Sequence, residues 1–537
     1  MNEMTDQLEV IGHQKVVSIE DLPEVVFEYI LSQLSPYRQL IDCKLVSKSW
    51  RLCVIETIKK LKRDFVHNLS NQLIQWSHFS PQSGPSISPR YSHSACCLGD
   101  SMYVFGGCTI ANTTFNDLWR FDLSTRTWIR PIATGTFPSP KACASLVDYN
   151  NHLVLFGGWT HSSPYPIHQE WRIFNHIHLF DTITDRWSLV VPNSYCPAIA
   201  GHSASIVGHH MIVFGGLQSA ANNPLPFFSS NDIWVLDLQD FVWHKQSASN
   251  PKPFARYGHS QVVIDDRHIL IIGGSGGPNM LFSDIWMLCI PEDKSLEWVW
   301  KPIEVMNKDS TTAPQISFHP TCKVSNLLVV LSASQKARSL QCKDGNILRK
   351  PSVRSQYVSP KDTNDKNAMA VNTESQASNE VPIASTSGCS SPQTSGAINM
   401  RPLSRRNRQR QLEGLDRMEQ RIRQLKTNTF SPLAVRSSTV KSDIEAPQNP
   451  MQLFVLDLSQ VIDRNVVKWI HKSNFISDGP EEVILYSLVA GRAEIIMFGG
   501  LQKDKNMKQN QTEGGVNDIP DIVSNHLHII TAKKCII

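Results

Sequence analysis

The chain has 537 residues, a formal net charge of +4, 19% charged and 41% hydrophobic residues, enough for several domains with sizeable cores. No apolar run approaches the ~18 residues of a membrane span, and the polar opening MNEMTDQLEVIGHQK argues against a secretory leader. Nine Arg or Lys against three Asp or Glu gather between Arg401 and Lys426, so the remainder is near neutral and a global nucleic-acid-binding surface is not expected.

The 12 cysteines form no Cys-x-x-Cys pair and no zinc spacing. They read as free buried thiols of a reducing compartment, cytoplasmic and/or nuclear. No metal or cofactor is expected.

Residues 1–17 read as disordered, and a helical segment follows over 18–66. In SIEDLPEVVFEYILSQLSPYRQLIDCKLVSKSW, Pro23 suits the first turn of a helix. Val26, Ile30 and Leu34 follow i, i+4, i+8 spacing, and Phe27 and Leu31 widen the apolar face. Ser35-Pro36 restarts a second helix, and a third carries Trp50, Leu52 and Ile55. Three short helices make a poor solitary core, so some apolar residues are spare for a partner; a helical cap on the next domain is the plainer alternative. Leu22-Pro23, Ile30-Leu31, Leu34, Leu40, Leu45-Val46 and Lys48-Ser49-Trp50-Arg51 resemble the F-box family, with Ser47 where a cysteine is frequent. The resemblance implies a Skp-type adaptor as partner, contacted by Leu22, Pro23, Val26, Ile30, Leu31, Leu34, Leu40, Leu45, Val46 and Trp50, and through it a cullin-RING scaffold.

From residue 72 the pattern turns to strands. QLIQWSHFS (72–80) carries Trp76 and has no repeat of its own. Then MYVFGG, LVLFGG, MIVFGG and ILIIGG end in the pairs Gly106-Gly107, Gly157-Gly158, Gly215-Gly216 and Gly273-Gly274. A histidine slot stands at a nearly constant offset before each first glycine (His93, Ala144, His202, His259). Strands such as NDLWRFD and NDIWVLD follow, with Trp128, Trp187 and Trp243 at one fixed offset beyond the Asp. A period of roughly 50 residues belongs to propeller blades, which cannot bury both faces alone. Paired glycines allow positive φ and close backbone approach, and each Trp is expected to close its outer strand against the next blade. These landmarks resemble the kelch repeat family, which implies an all-β propeller in which glycines, histidines and tryptophans are structural.

A fifth repeat begins at His319, reaches LLVVLSA with Ser332 and Ala333 in place of the glycines, and stops. The strand MQLFVLDLS (451–459) continues it. The intervening 335–450 is poor in aromatics, and its composition predicts a disordered insert. Within it, 401–426 is helix-prone, and Arg405, Arg406, Arg408 and Arg410 read either as a nuclear import signal or as a solvated charge run. AEIIMFGG, ending in Gly499-Gly500, then makes a sixth repeat with Tyr486 in the histidine slot. The expected fold is a six-bladed all-β propeller over 72–334 and 451–537, closed by the strand 72–80 and preceded by a small all-α F-box.

The gap between the second glycine and the next strand is short in repeats one and four, longer in two and three, and longer again in six; the insert fills the gap of repeat five. Variable loops on one rim mark a binding face, with Trp159, Tyr165, Trp171, Phe227 and Phe228 as anchors. By resemblance to kelch receptors, Arg90, Lys141 and Arg256, three positions before the histidine slot, join that face and suit an acidic or phosphorylated target. No catalytic set is legible. The expectation is a non-catalytic target receptor of an SCF-type ubiquitin ligase, with a ubiquitin-independent kelch scaffold as the alternative.

Overall fold

Runs such as SMYVF and HLVLF fold into strands buried on both faces, because each small sheet stands between two others. The computed structural model describes Ile19 and residues 22–79, 84–109, 113–161, 172–220, 223–277, 280–293, 296–307, 314, 316, 318–333, 450–470, 478–502 and 522–533. The expectations for 1–17, for the insert as far as residue 449 and for its segment 401–426 lie outside the described residues. No described helix is long and apolar enough to cross a membrane.

Among the described residues, six antiparallel four-stranded sets form the blades of a propeller. The first four are Ser94–Leu98 to Thr127–Ile129, Ser145–Tyr149 to Arg186–Val190, Ser203–Val207 to Val242–Gln246, and Ser260–Asp265 to Val299–Met306. The fifth pairs Leu327–Ala333 with Met451–Asp457, Ala333 standing opposite Met451, so both ends of the insert belong to one strand pair. The sixth consists of Ser487–Ala490, Glu494–Phe498, Leu527–Ala532 and, as its outer strand, Ile74–Phe79, with Trp76 opposite Ile530. The first described strand is thereby paired with the last, and the ring has no open edge there.

The core is a ring of six hydrophobic clusters, each shared by two neighbouring blades. The aromatic landmarks build it, in the opposite sense to the sequence expectation: each Trp packs on the preceding blade, against the residue just before that blade's glycine pair. Trp187 meets Phe105, Trp243 meets Phe156, Trp300 meets Phe214, and Trp128 meets Phe498 across the closure, at ring separations of 4.8–5.6 Å. The outer strand leans back because a blade's Phe is completed only by the blade that follows it.

The glycine pairs stitch the same joints. At Gly106 (φ +65°) a Cβ would lie 2.3 Å from the Lys141 carbonyl oxygen of the next blade, and Gly107 N–H donates to that oxygen at 3.0 Å. The arrangement recurs at the closure, where Gly500 N–H donates to Arg90 C=O at 3.0 Å. Where Ser332-Ala333 replaces the pair, Tyr486 Oη donates instead to Leu331 C=O at 2.7 Å. Three histidines add a second stitch through Nε2: His93 to Ser487, His202 to Ser145 and His259 to Ser203, at 2.6–3.0 Å.

Among the described residues, three α-helices precede the propeller: α1 (Glu24–Ser32), α2 (Arg38–Cys43) and α3 (Lys48–Ser70). The Ser47 hydroxyl accepts from Trp50 N–H and caps α3. At 23 residues, α3 is not short and runs past the boundary at 66 expected from sequence. Its last turns bury Phe65 and Leu69 in the cluster shared by blades five and six, and that contact extends the helix.

Candidate protein-interaction surfaces

The helical segment divides its apolar residues into two sets. Phe27, Leu31, Leu40 and Val54 form its core, with Leu34, Trp50 and Ile58 packed against it. Phe27 and Trp50 meet edge to face at 4.8 Å. Leu31 and Leu40, expected as adaptor contacts, are 1% and 0% exposed and serve as core. The outward set contains Val26, Ile30, Leu45 (83% exposed) and Val46, together with Val25, Tyr29 and Leu52, which the sequence reading omitted from the surface. Pro23 is exposed and Leu22 half-buried. The discriminating signal was α1's phase: positions 26, 29 and 30 share one side, opposite 27 and 31.

This segment is tied to the propeller through Tyr37, which is fully buried at the start of α2. Its hydroxyl donates to Glu494 Oε1 at 2.5 Å and accepts from Arg492 N–H at 3.0 Å. Arg126 from blade one grips the same carboxylate with both terminal nitrogens, at 2.9 and 2.6 Å. Burial, then the neighbouring Glu494 charge, pushes the Tyr37 phenol upward, so it stays a donor.

On the loop rim, three expected target contacts are buried. Arg90 and Arg256 are 0% exposed. Each guanidinium grips a carboxylate of its own blade, Arg90 with Asp117 at 2.7 and 3.0 Å and Arg256 with Asp284 at 2.7 and 2.9 Å. Each also donates to the carbonyl of its blade's first glycine, Gly106 or Gly273. Burial alone would raise the Asp117 and Asp284 carboxyls, but the paired guanidinium outweighs it and holds both below the usual range. These arginines tie strands together and are not available to a target.

Lys141 is also buried (1% exposed), yet its Nζ has no hydrogen-bond partner. It lies 4.6 Å from the Phe174 ring centroid. Burial, then Arg172, pulls its ammonium down to about 7. His176 occupies the position that Asp117 and Asp284 hold in blades one and four. Of the aromatic anchors, Trp159 and Phe227 are half-buried and Phe228 is exposed; Tyr165 and Trp171 lie outside the described residues. The reading missed Phe254 and Phe282, stacked at 6.1 Å, and exposed Met280 and Leu281 on the same rim.

Residues 19–59 match a family described as F-box-like, and residues 90–298 match one described as FBX42, beta-propeller domain. The chain resembles FBX42: an F-box followed by a kelch propeller. The propeller match runs through the first three blades and the three inner strands of the fourth; the outer strand of the fourth blade and blades five and six are evident from strand pairing. Curated relatives match part of the chain. Kelch domain-containing protein 3 of Homo sapiens is 27% identical over 48% of this chain and 66% of its own length. Acyl-CoA-binding domain-containing protein 4 of Arabidopsis thaliana is 30% identical over 44% of this chain and 34% of its own. Host cell factor homolog hcf-1 of Caenorhabditis elegans is 26% identical over 42% and 29% respectively. The chain thus spans from about three tenths to just under two thirds of these relatives' lengths.

Proposed function

We propose that this chain is the target-receptor subunit of an SCF-type ubiquitin ligase. The F-box docks on a Skp-type adaptor joined to a cullin-RING scaffold, and the loop rim of the propeller holds a protein target. The chain performs no bond chemistry itself; it raises the local concentration of target near the recruited conjugating enzyme. The observation that carries this reading is the outward apolar set Val26, Ile30, Leu45 and Val46 beside a separate, complete F-box core. Burying such residues against a partner is worth ~25 cal/mol per Å² of apolar surface.

The test is co-purification of adaptor and cullin with the full chain and with Ile30→Asp/Val46→Asp. Both partners are expected with the parent chain and neither with the variant, at unchanged thermal stability. Adaptor retained by the variant would sink the assignment.

A further inference from the structure

We propose that the mouth of the second blade is a subsite for an oxyanion carried by the target, a side-chain carboxylate or phosphoryl group, held by Arg172 and His176 above the buried Lys141. This rests on the reading of the loop rim as the target face.

Blade two differs from blades one and four in one charge. Blades one and four bury an arginine in this slot and neutralise it with Asp117 or Asp284. Blade two keeps a buried cation in Lys141 but has His176 where the carboxylate belongs. An isolated ammonium out of water is costly unless paired, and no ion pair to Lys141, Arg172 or His176 occurs among the described residues. Burial, and then Arg172, depress the Lys141 ammonium.

The described neighbours bring no carboxylate to this slot. Around Phe174 stand Lys141 Nζ at 4.6 Å, Arg172 Cζ at 4.8 Å and the His176 ring at 5.5 Å. Burial foremost, then Lys141 and Arg172, holds His176 down; burial, then Lys141 and His176, does the same to His178. Arg172 and His176 are exposed and can reach a ligand. Lys141 is enclosed and acts through its charge. A guanidinium fork fits carboxylate or phosphoryl oxygens, so an arriving oxyanion supplies what Asp117 and Asp284 supply elsewhere.

His176→Asp separates a binding site from a structural accident, because it rebuilds the carboxylate of the other blades. Thermal unfolding of the full chain is followed in inorganic phosphate against sodium chloride of equal ionic strength. At phosphate about tenfold above its dissociation constant, the parent midpoint is expected to rise by roughly 2–4 °C over chloride. His176→Asp is expected to unfold at higher temperature than the parent in chloride and to lose the phosphate increment. Should that variant not fold, exposed Arg172→Gln must fold and show a reduced increment. Glutamate and phosphoserine versions of one peptide then compete with phosphate; the stronger competitor names the source, and equal competition by the serine version overturns the proposal. So does an increment absent from the parent, or retained in both variants. Adaptor co-purification is expected to be unaffected by these substitutions, so its loss would speak only to the ligase reading.

Discussion

Tyr37 Oη donates to Glu494 Oε1 at 2.5 Å, across 457 positions of sequence. The bond joins the second helix of the F-box to the sixth blade, and Arg126 of the first blade completes it. Glu494 is 3% exposed, so removing it strands a phenol and a guanidinium. Glu494→Ala is expected to cost about 3–5 kcal/mol, and Tyr37→Phe about 1–3 kcal/mol, in denaturant unfolding. A Tyr37→Phe variant as stable as the parent would show the joint to be energetically idle.

Adjacent residues of α1 are expected to behave in opposite ways. Leu31→Ala opens the F-box core and should cost about 2–5 kcal/mol. Ile30→Asp changes an exposed side chain and should leave stability within about 0.5 kcal/mol while abolishing adaptor capture. Equal loss of stability in both variants would contradict the division into core and docking sets.

Two glycines separate backbone strain from steric conflict. Gly99 (φ +62°) has open space where a Cβ would go, whereas a Cβ at Gly499 (φ +67°) would stand 2.8 Å from Arg90 C=O. Gly99→Ala is expected to cost about 1 kcal/mol for its left-handed backbone alone. Gly499→Ala adds a collision at the ring closure and should cost at least about 2 kcal/mol. Chemical denaturation of the two variants side by side checks the order; Gly499→Ala as mild as Gly99→Ala would remove the closure from the account.

Acid should unfold the propeller through its stitching histidines. Burial holds His93, His202 and His259 at about 3; Arg90 adds to the depression of His93, and Arg256 and then His202 to that of His259. Their folded values lie below the unfolded ~6.5, so the unfolded chain takes up protons first. Stability is therefore full above about pH 6.5 and falls as pH drops toward 3. At pH 5.5 the three together should cost about 4 kcal/mol relative to pH 7.5. His202→Gln is expected to flatten the slope of stability against pH; an unchanged slope would assign the acid sensitivity elsewhere.

The repeat was readable because its landmarks are local and periodic. Glycine pairs, the histidine slot and the tryptophans recur at fixed offsets, since each serves the same joint in every blade. The six repeats, the interrupted fifth and the F-box helices could be recognised from such spacing. Placing Arg90 and Arg256 among the target contacts failed because their partners stand 27 and 28 positions away, and burial depends on that pairing. Reading Leu31 and Leu40 as docking residues failed because a motif records which positions are apolar, not which side of the helix faces its neighbours.

The sequence by itself determined the kinds of module and their order, because blade and F-box patterns arise from short-range periodicity in 2.0 and 3.6 residues. Only the tertiary structure decided which apolar residues are spare, which buried cation lacks its carboxylate, and how Tyr37 anchors the helices to blade six. Those outcomes rest on contacts between residues far apart in the chain. Burial and charge compensation belong to the assembled surroundings, and no window of sequence contains them.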